Sequence, residues 1–265
     1  MHPIYLRLLA GLVMLLSLFF GIQLSQEGFH NIQEFKQLER IVPSSLLGSL
    51  DGEVQITGLA YPLAIRSVII SPKAGVESLY YRYLLEEEER DADGDTRWVT
   101  KKDISRSVDF LISDDTSNAT VRSEGLLGSI QWSVPVSYRV TEGNRRYTEW
   151  RIEPEDRLLM FAWAEVQPRL HAEPELELRF DKTGAYLPII SKYSAEYIRG
   201  DLGNSAIVKI WGGVSLVALG LLAFIYALQI HRILVFLSLL TLFTSGTLSV
   251  YGFATLAADV SGGRV

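Results

Sequence analysis

The chain has 265 residues, no cysteine, a net charge of −6 at pH 7 and a mean hydropathy of +0.17. Without cysteine there are no disulfides, no lipidated cysteine, no thiolate catalysis and no Cys-based zinc site. The charge is uneven: residues 25–205 hold 30 acidic against 21 basic side chains, a net of −9. That excess argues against nucleic acid as a partner and against electrostatic docking onto anionic lipid headgroups.

The first predicted element is a transmembrane helix over residues 4–24. Leu8–Leu24 is uncharged, Ile4 and Tyr5 extend it to spanning length, and Arg7 lies within snorkelling reach of the interface. A cleaved signal peptide is the alternative, but Gly21-Ile22-Gln23-Leu24-Ser25 offers no convincing small-x-small cleavage site. Residues 25–48 read as an amphipathic helix and linker. Phe29, Ile32, Phe35, Leu38 and Ile41 recur every three residues, among Glu34, Lys36, Glu39 and Arg40. Such a helix packs on a domain, lies at the membrane surface or offers its stripe to a partner.

Residues 49–205 read as one β-rich domain, a small barrel or sandwich of α+β type, large enough for a core of its own. Val54, Ile56 and Gly58 alternate with polar neighbours, as in a half-buried strand. Further strands are expected at Val68–Ile70, Leu79–Glu89, Arg97–Val108, Phe110–Ile112 and Ala119–Val121. The later ones fall at Tyr138–Val140, Tyr147–Ile152, Leu158–Val166, Leu176–Phe180 and Tyr186–Ile190. Turns are expected at Asp91–Asp95, Asp114-Asp115 and Lys182-Thr183-Gly184, and a short helix at Tyr193–Arg199.

Two more apolar stretches follow, predicting transmembrane helices over 206–228 and 233–258, and then a short tail, 259–265. Arg7 before the first span and His231-Arg232 between the last two place the N-terminus and that turn in the cytoplasm. The large domain then lies outside it, which in a bacterium means the periplasm. In a eukaryotic lumen, Asn118-Ala119-Thr120 would be a glycan acceptor.

Several stretches, in order, resemble the "beside-a-membrane" domain of the GIDE-type family, relatives of mitochondrial membrane-anchored E3 ubiquitin ligases. They are Val54-Gln55-Ile56-Thr57-Gly58, Ser71-Pro72 before Tyr80-Tyr81-Arg82-Tyr83, Trp98, Phe110–Thr116, Tyr147–Leu158 and Tyr186–Ile190 before a span. The resemblance covers about residues 50–215 and implies a membrane-adjacent interaction or sensing role. Family members often carry Cys where Leu79 stands and Pro-Gly-Asp where this chain has Pro154-Glu155-Asp156. The ligases end in a RING finger; with no Cys and His only at 2, 30, 171 and 231, this sequence holds no RING ligand set.

No residue is assigned a catalytic, cofactor-binding or metal-ligating role. Asp91-Ala92-Asp93-Gly94-Asp95 fails as a calcium loop, since Gly94 is fourth and Lys102 stands where a bidentate Glu is needed. Glu86–Glu89 alternate faces along a strand, so at most two could act together. Glu149 and Asp156 could form a carboxylate pair, but no nucleophile or orienting base accompanies them. His171 stands alone. Trp98, Trp132, Trp150 and Trp163 read as packing more than as a ligand platform. Trp211 reads as an interfacial anchor. Ser238, Thr241, Ser245, Ser249 and Gly252 form a small, weakly polar stripe on the last span, expected to pack against the preceding one through Gly212, Gly213 and Gly220.

The expectation is therefore a non-enzymatic membrane protein without cofactor. Its partners are the lipid bilayer and an unidentified protein or lipid component, not nucleic acid. An accessory subunit of a larger complex, assembled through its transmembrane helices, is the alternative; a hydrolase using carboxylates alone is remote.

Overall fold

A computed structural model describes residues 3–49, 51–64, 67–90, 94–167, 175–180, 187–227, 239–241, 243, 244 and 246. The chain divides into two compact units, Met1–Leu38 with Glu196–Val265, and Glu39–Ala195.

The first unit is built on two long helices. α1 runs unbroken from Pro3 to Arg40, so the predicted span and the predicted amphipathic helix are one element. Proline at its first position is pre-set for a helix start, and no other proline occurs before Pro43. α2 runs from Ala195 to Ala227, joining the expected short helix to the second expected span. Ser194 before it and Glu196 in its first turn are favoured N-terminal residues. Both helices are long and apolar enough to cross a membrane. The third expected span lies mostly outside the described residues; 239–241, 243, 244 and 246 within it are helical.

The two helices meet through small residues. A methyl group added at Gly21 would lie 2.8 Å from the Gly213 carbonyl oxygen, and one at Gly28 would lie 2.9 Å from that of Ala206. At Gly220 the nearest atoms would be Leu18 Cγ and the Met14 carbonyl oxygen, both at 3.2 Å. Pairing residues near 14 with 220, 21 with 213 and 28 with 206 makes the helices antiparallel. Gly212, Gly213 and Gly220, expected to pack against the last span, lie against α1; of the stripe expected to meet them, Ser238, Ser245, Ser249 and Gly252 lie outside the described residues. Among the described residues, Trp211 of α2 meets the last span, its indole N–H donating to the Gly246 carbonyl at 3.4 Å.

Among its described residues the second unit has thirteen strands: β1 (Gly52–Pro62), β2 (Ile69–Ile70), β3 (Glu77–Ser78), β4 (Tyr80–Arg90), β5 (Thr96–Ser107), β6 (Phe110–Ser113), β7 (Asn118–Val121), β8 (Gln131–Ser133), β9 (Val136–Glu142), β10 (Arg145–Ile152), β11 (Arg157–Gln167), β12 (Glu175–Arg179) and β13 (Ile189–Ser191). β3 and β8 were not expected. Each is two or three residues long, too short for alternation to register. His171 and the turn at residues 182–184 lie outside the described residues, as does most of the Asp91–Asp95 turn.

Strands β1, β6, β7, β12 and β11 form a small closed barrel, because β1 pairs with β6 at one edge and with β11 at the other. Gly58 sits where β1 passes from one partner to the other. A Cβ there would come 2.5 Å from the Ser113 carbonyl oxygen, so only glycine permits this approach. β11 carries three partners: β1 along one edge, then β13 and β12 in succession along the other. The core is filled by Ile56, Phe110, Ile112, Ile152, Leu158, Met160, Leu178 and Ile190, all fully buried.

A second, antiparallel sheet has the order β5-β4-β10-β9. Its two ends differ. Tyr80 and Ile152, paired across β4 and β10, belong to the core, and Tyr80 stacks on Trp132 at 3.9 Å between ring centres. Further along, Thr96–Asp103 is largely exposed and Glu86–Arg90 half-buried to exposed.

Candidate functional site

The sequence offered carboxylates and tryptophans as the residues to follow; Glu86–Glu89, Glu149, Trp98 and Trp150 lie on the four-stranded sheet, whereas Trp132 and Trp163 lie on β8 and β11. Alternation sorts the side chains of the four-stranded sheet by face. One face carries Arg82, Glu86, Trp98, Asp103, Arg139, Arg146, Thr148 and Trp150; the other carries Tyr81, Tyr83, Glu87, Glu149, Arg151 and Tyr147.

On the first face the charges form two similar clusters. Arg82 makes a bidentate pair with Asp103, at 3.0 and 2.7 Å, and its guanidinium lies 5.1 Å from the Trp150 ring centre. Arg146 pairs with Glu86 at 2.8 Å through both nitrogens and lies 4.6 Å from the Trp98 ring. Hydrogen bonding to Arg146 holds the Glu86 carboxyl below the usual carboxylate range, and Arg82 does the same to Asp103. Trp98 and Trp150 are thus neither core residues nor vacant platforms; each is the floor under an arginine. Glu87 and Glu89 of the acidic run have partners too, in Arg145 at 3.7 Å and in Lys101.

On the other face, Glu149 is fully buried. Its carboxylate accepts hydrogen bonds from the backbone N–H of Lys73 at 2.6 Å and of Ala74 at 3.3 Å, and from Arg151 at 2.9 Å. The loop between β2 and β3 is thereby tied to β10. Lys73 also pairs with Glu142 at 2.7 Å and lies 4.1 Å from the Tyr147 ring centre. Arg151 donates further to Glu153 at 3.2 Å. Asp156, the other member of the weighed carboxylate pair, is engaged separately. It accepts from the Glu153 N–H and the Lys192 ammonium, both at 2.7 Å. The structure gives these two carboxylates different partners and different structural tasks.

Two other acidic clusters serve the barrel. Asp114 closes the turn after β6 by accepting from Thr116 and Ser117, and also binds the Leu46 N–H at 2.8 Å. Burial opposes ionisation there, but the hydrogen bonds prevail and its carboxyl is held low. Arg122 bridges Asp109 at 3.0 Å and Glu177 at 2.6 Å.

Among the described residues no group of three or more His, Asp or Glu is placed to hold a metal ion. The residue that sequence reasoning passed over most completely is Arg151. A lone arginine on a strand reads as solvated, and only its i, i+2 spacing from Glu149, which puts both on one face, hints at the buried pair.

No protein-family model, curated protein or solved structure matches this chain.

Proposed function

We propose that this chain is a membrane-anchored, non-enzymatic interaction or sensing protein whose β-rich unit binds a protein or lipid partner in the compartment opposite the cytosol. The observation that carries the reading is the use to which the β-rich unit puts its charged side chains. Glu86, Asp103, Asp114, Glu149 and Asp156 are each held by an arginine, a lysine or backbone N–H groups in a fold-building role. Carboxylates so engaged are spent on architecture. The two long apolar helices supply the anchor.

The proposed orientation, with the N-terminus in the cytoplasm of a bacterial inner-membrane protein, follows from Arg7 and from His231-Arg232. A relationship to GIDE-type domains belongs to the same proposal. The alternative, an accessory subunit assembled through its spans, is less favoured. Among the described residues, the small-residue face suited to helix association is used between α1 and α2.

Crosslinking in intact cells, followed by identification of the adducts and of the crosslinked position, tests the reading. Adducts on residues 49–195 support it; adducts confined to the apolar helices favour the accessory subunit. Turnover of peptide, ester or glycan substrates by the purified chain, abolished by Glu149→Gln without loss of folding, would overturn it.

A further inference from the structure

The helices are longer than a bilayer requires. At about 1.5 Å per residue, α1 with 38 residues is about 57 Å long and α2 with 33 is about 50 Å, against a hydrocarbon core of about 30 Å. Where the excess lies can be read from the charges. Between Arg7 and Glu27 α1 has no charged residue, a run of about 30 Å of helix. Beyond Lys209, to its end at Ala227, α2 has none either. The two boundaries come from separate helices, and the structure brings them together: Lys209 Nζ lies 3.4 Å from Glu27 Oε2. Trp211, in the next half-turn, suits the interface.

On either side of this pair the helices are held by different means. On the apolar side, Gly21, Gly213 and Gly220 bring backbone against backbone, while Leu12, Leu16, Phe20 and Leu219 face outward. On the other side the contacts are those of a water-soluble helix pair. Asn31 donates to Ser205 at 2.9 Å and Arg199 donates to the Leu38 carbonyl at 3.3 Å, while within α1 His30 lies 3.1 Å from Glu34. Phe35, Leu38, Ile198 and Leu202 are buried there, with Phe35 4.0 Å from where a Cβ on Gly203 would sit.

We propose that the bilayer surface lies at the Glu27–Lys209 pair, and that α1 and α2 continue past it as an unbroken two-helix stalk standing about 20 Å into the aqueous phase. This rests on the membrane-anchored reading and deepens it. With no proline inside either helix and backbones in contact at three levels, a displacement of the stalk is carried into the bilayer without a hinge.

The absence of native cysteine makes single-cysteine variants clean probes. In sealed vesicles of the full-length protein, Gln33→Cys, Lys36→Cys, Asp201→Cys and Asn204→Cys should react with a membrane-impermeant maleimide. Leu12→Cys, Leu16→Cys, Phe20→Cys and Leu219→Cys should react only after detergent is added. The double variant Asn31→Cys/Ser205→Cys should form a disulfide on mild oxidation. Protection of positions 33, 36, 201 and 204 in both sealed and opened vesicles overturns the stalk, as does failure of the disulfide to form. Reaction at those positions only after the vesicles are opened supports the stalk and overturns the proposed orientation instead. Reaction at 12, 16, 20 and 219 without detergent overturns both the stalk boundary and the membrane anchor.

Discussion

Glu149 and Arg151 stand two residues apart on β10, on the same face, with their charged groups 2.9 Å apart and both side chains buried. A pair of this kind is not a strong stabiliser in itself, because both ions surrender their hydration. Breaking it is another matter. Glu149→Ala leaves Arg151 buried without its nearest partner and frees the N–H groups of Lys73 and Ala74. The expected loss is about 3 to 5 kcal/mol, the range for an orphaned buried charge. Denaturant unfolding of the full-length chain in detergent, followed by tryptophan fluorescence, measures it. The double variant Glu149→Leu/Arg151→Met should lose much less than the single one.

Glu155 has φ 68°, the only non-glycine residue with positive φ among the described residues. It is the third residue of a turn in which the Asp156 N–H donates to the Glu153 carbonyl at 3.2 Å, with Pro154 second, the pattern of a type II turn. The Glu155 N–H is also fixed, donating to the Ala60 carbonyl at 2.7 Å, so the strain cannot relax by turning the peptide. Glu155→Gly should therefore raise stability by about 1 kcal/mol, the usual cost of a left-handed side-chain-bearing residue. Glu155→Ala should bring no comparable gain. Thermal unfolding of the two variants side by side makes the comparison.

The arginine-held carboxylates of the four-stranded sheet predict its behaviour in acid. Glu86 and Asp103 have folded-state pKa values depressed by Arg146 and Arg82. A depressed group contributes stability that is fully present above its unfolded pKa and is lost as pH falls through the folded one. The sheet should thus be insensitive to pH from neutrality down to the ordinary carboxylate range and loosen below it. Arg146→Met and Arg82→Met should flatten that dependence. Hydrogen exchange of β4 and β5 amides between pH 6 and about pH 3, corrected for intrinsic rates, reads it out.

Gly213 tests the helix contact. A side chain there would come 2.6 Å from the Gly21 carbonyl oxygen and 2.7 Å from the Ser25 amide nitrogen. Gly213→Val should force the helices apart and slow or abolish oxidation of the Asn31→Cys/Ser205→Cys pair. Gly200→Val, at a position with open space around it, should leave that oxidation intact.

Much of this architecture is legible in the sequence because its signals are local. The apolar runs on α1 and α2 declare themselves by length, and β1, β4, β10 and β11 by alternation or composition. The unbroken course of α1 is not legible. The stripe at Phe29, Ile32, Phe35, Leu38 and Ile41 suggested an amphipathic helix with its own fate. In the structure Phe29 is exposed while Phe35 and Leu38 are buried, because the face that counts is the one continued from Gly21 and Gly28. Barrel closure is equally hidden, since β1 and β11 pair over a long separation that no neighbouring residues record. The positive φ of Glu155 was not legible either, since glutamate carries no signal for it. The partnering of Glu149 with a backbone loop was out of reach, because nothing in a sequence says which N–H groups will be left without a strand.

The pairing of Gly52 with Ala164 also sets a clock on biogenesis. More than a hundred residues must be made after β1 before its closing partner exists, and β13 follows later still. Long-range pairings of this kind assemble slowly. The nascent β1 therefore waits with one edge unsatisfied, and whatever escorts the chain during synthesis must shield that edge until β11 arrives.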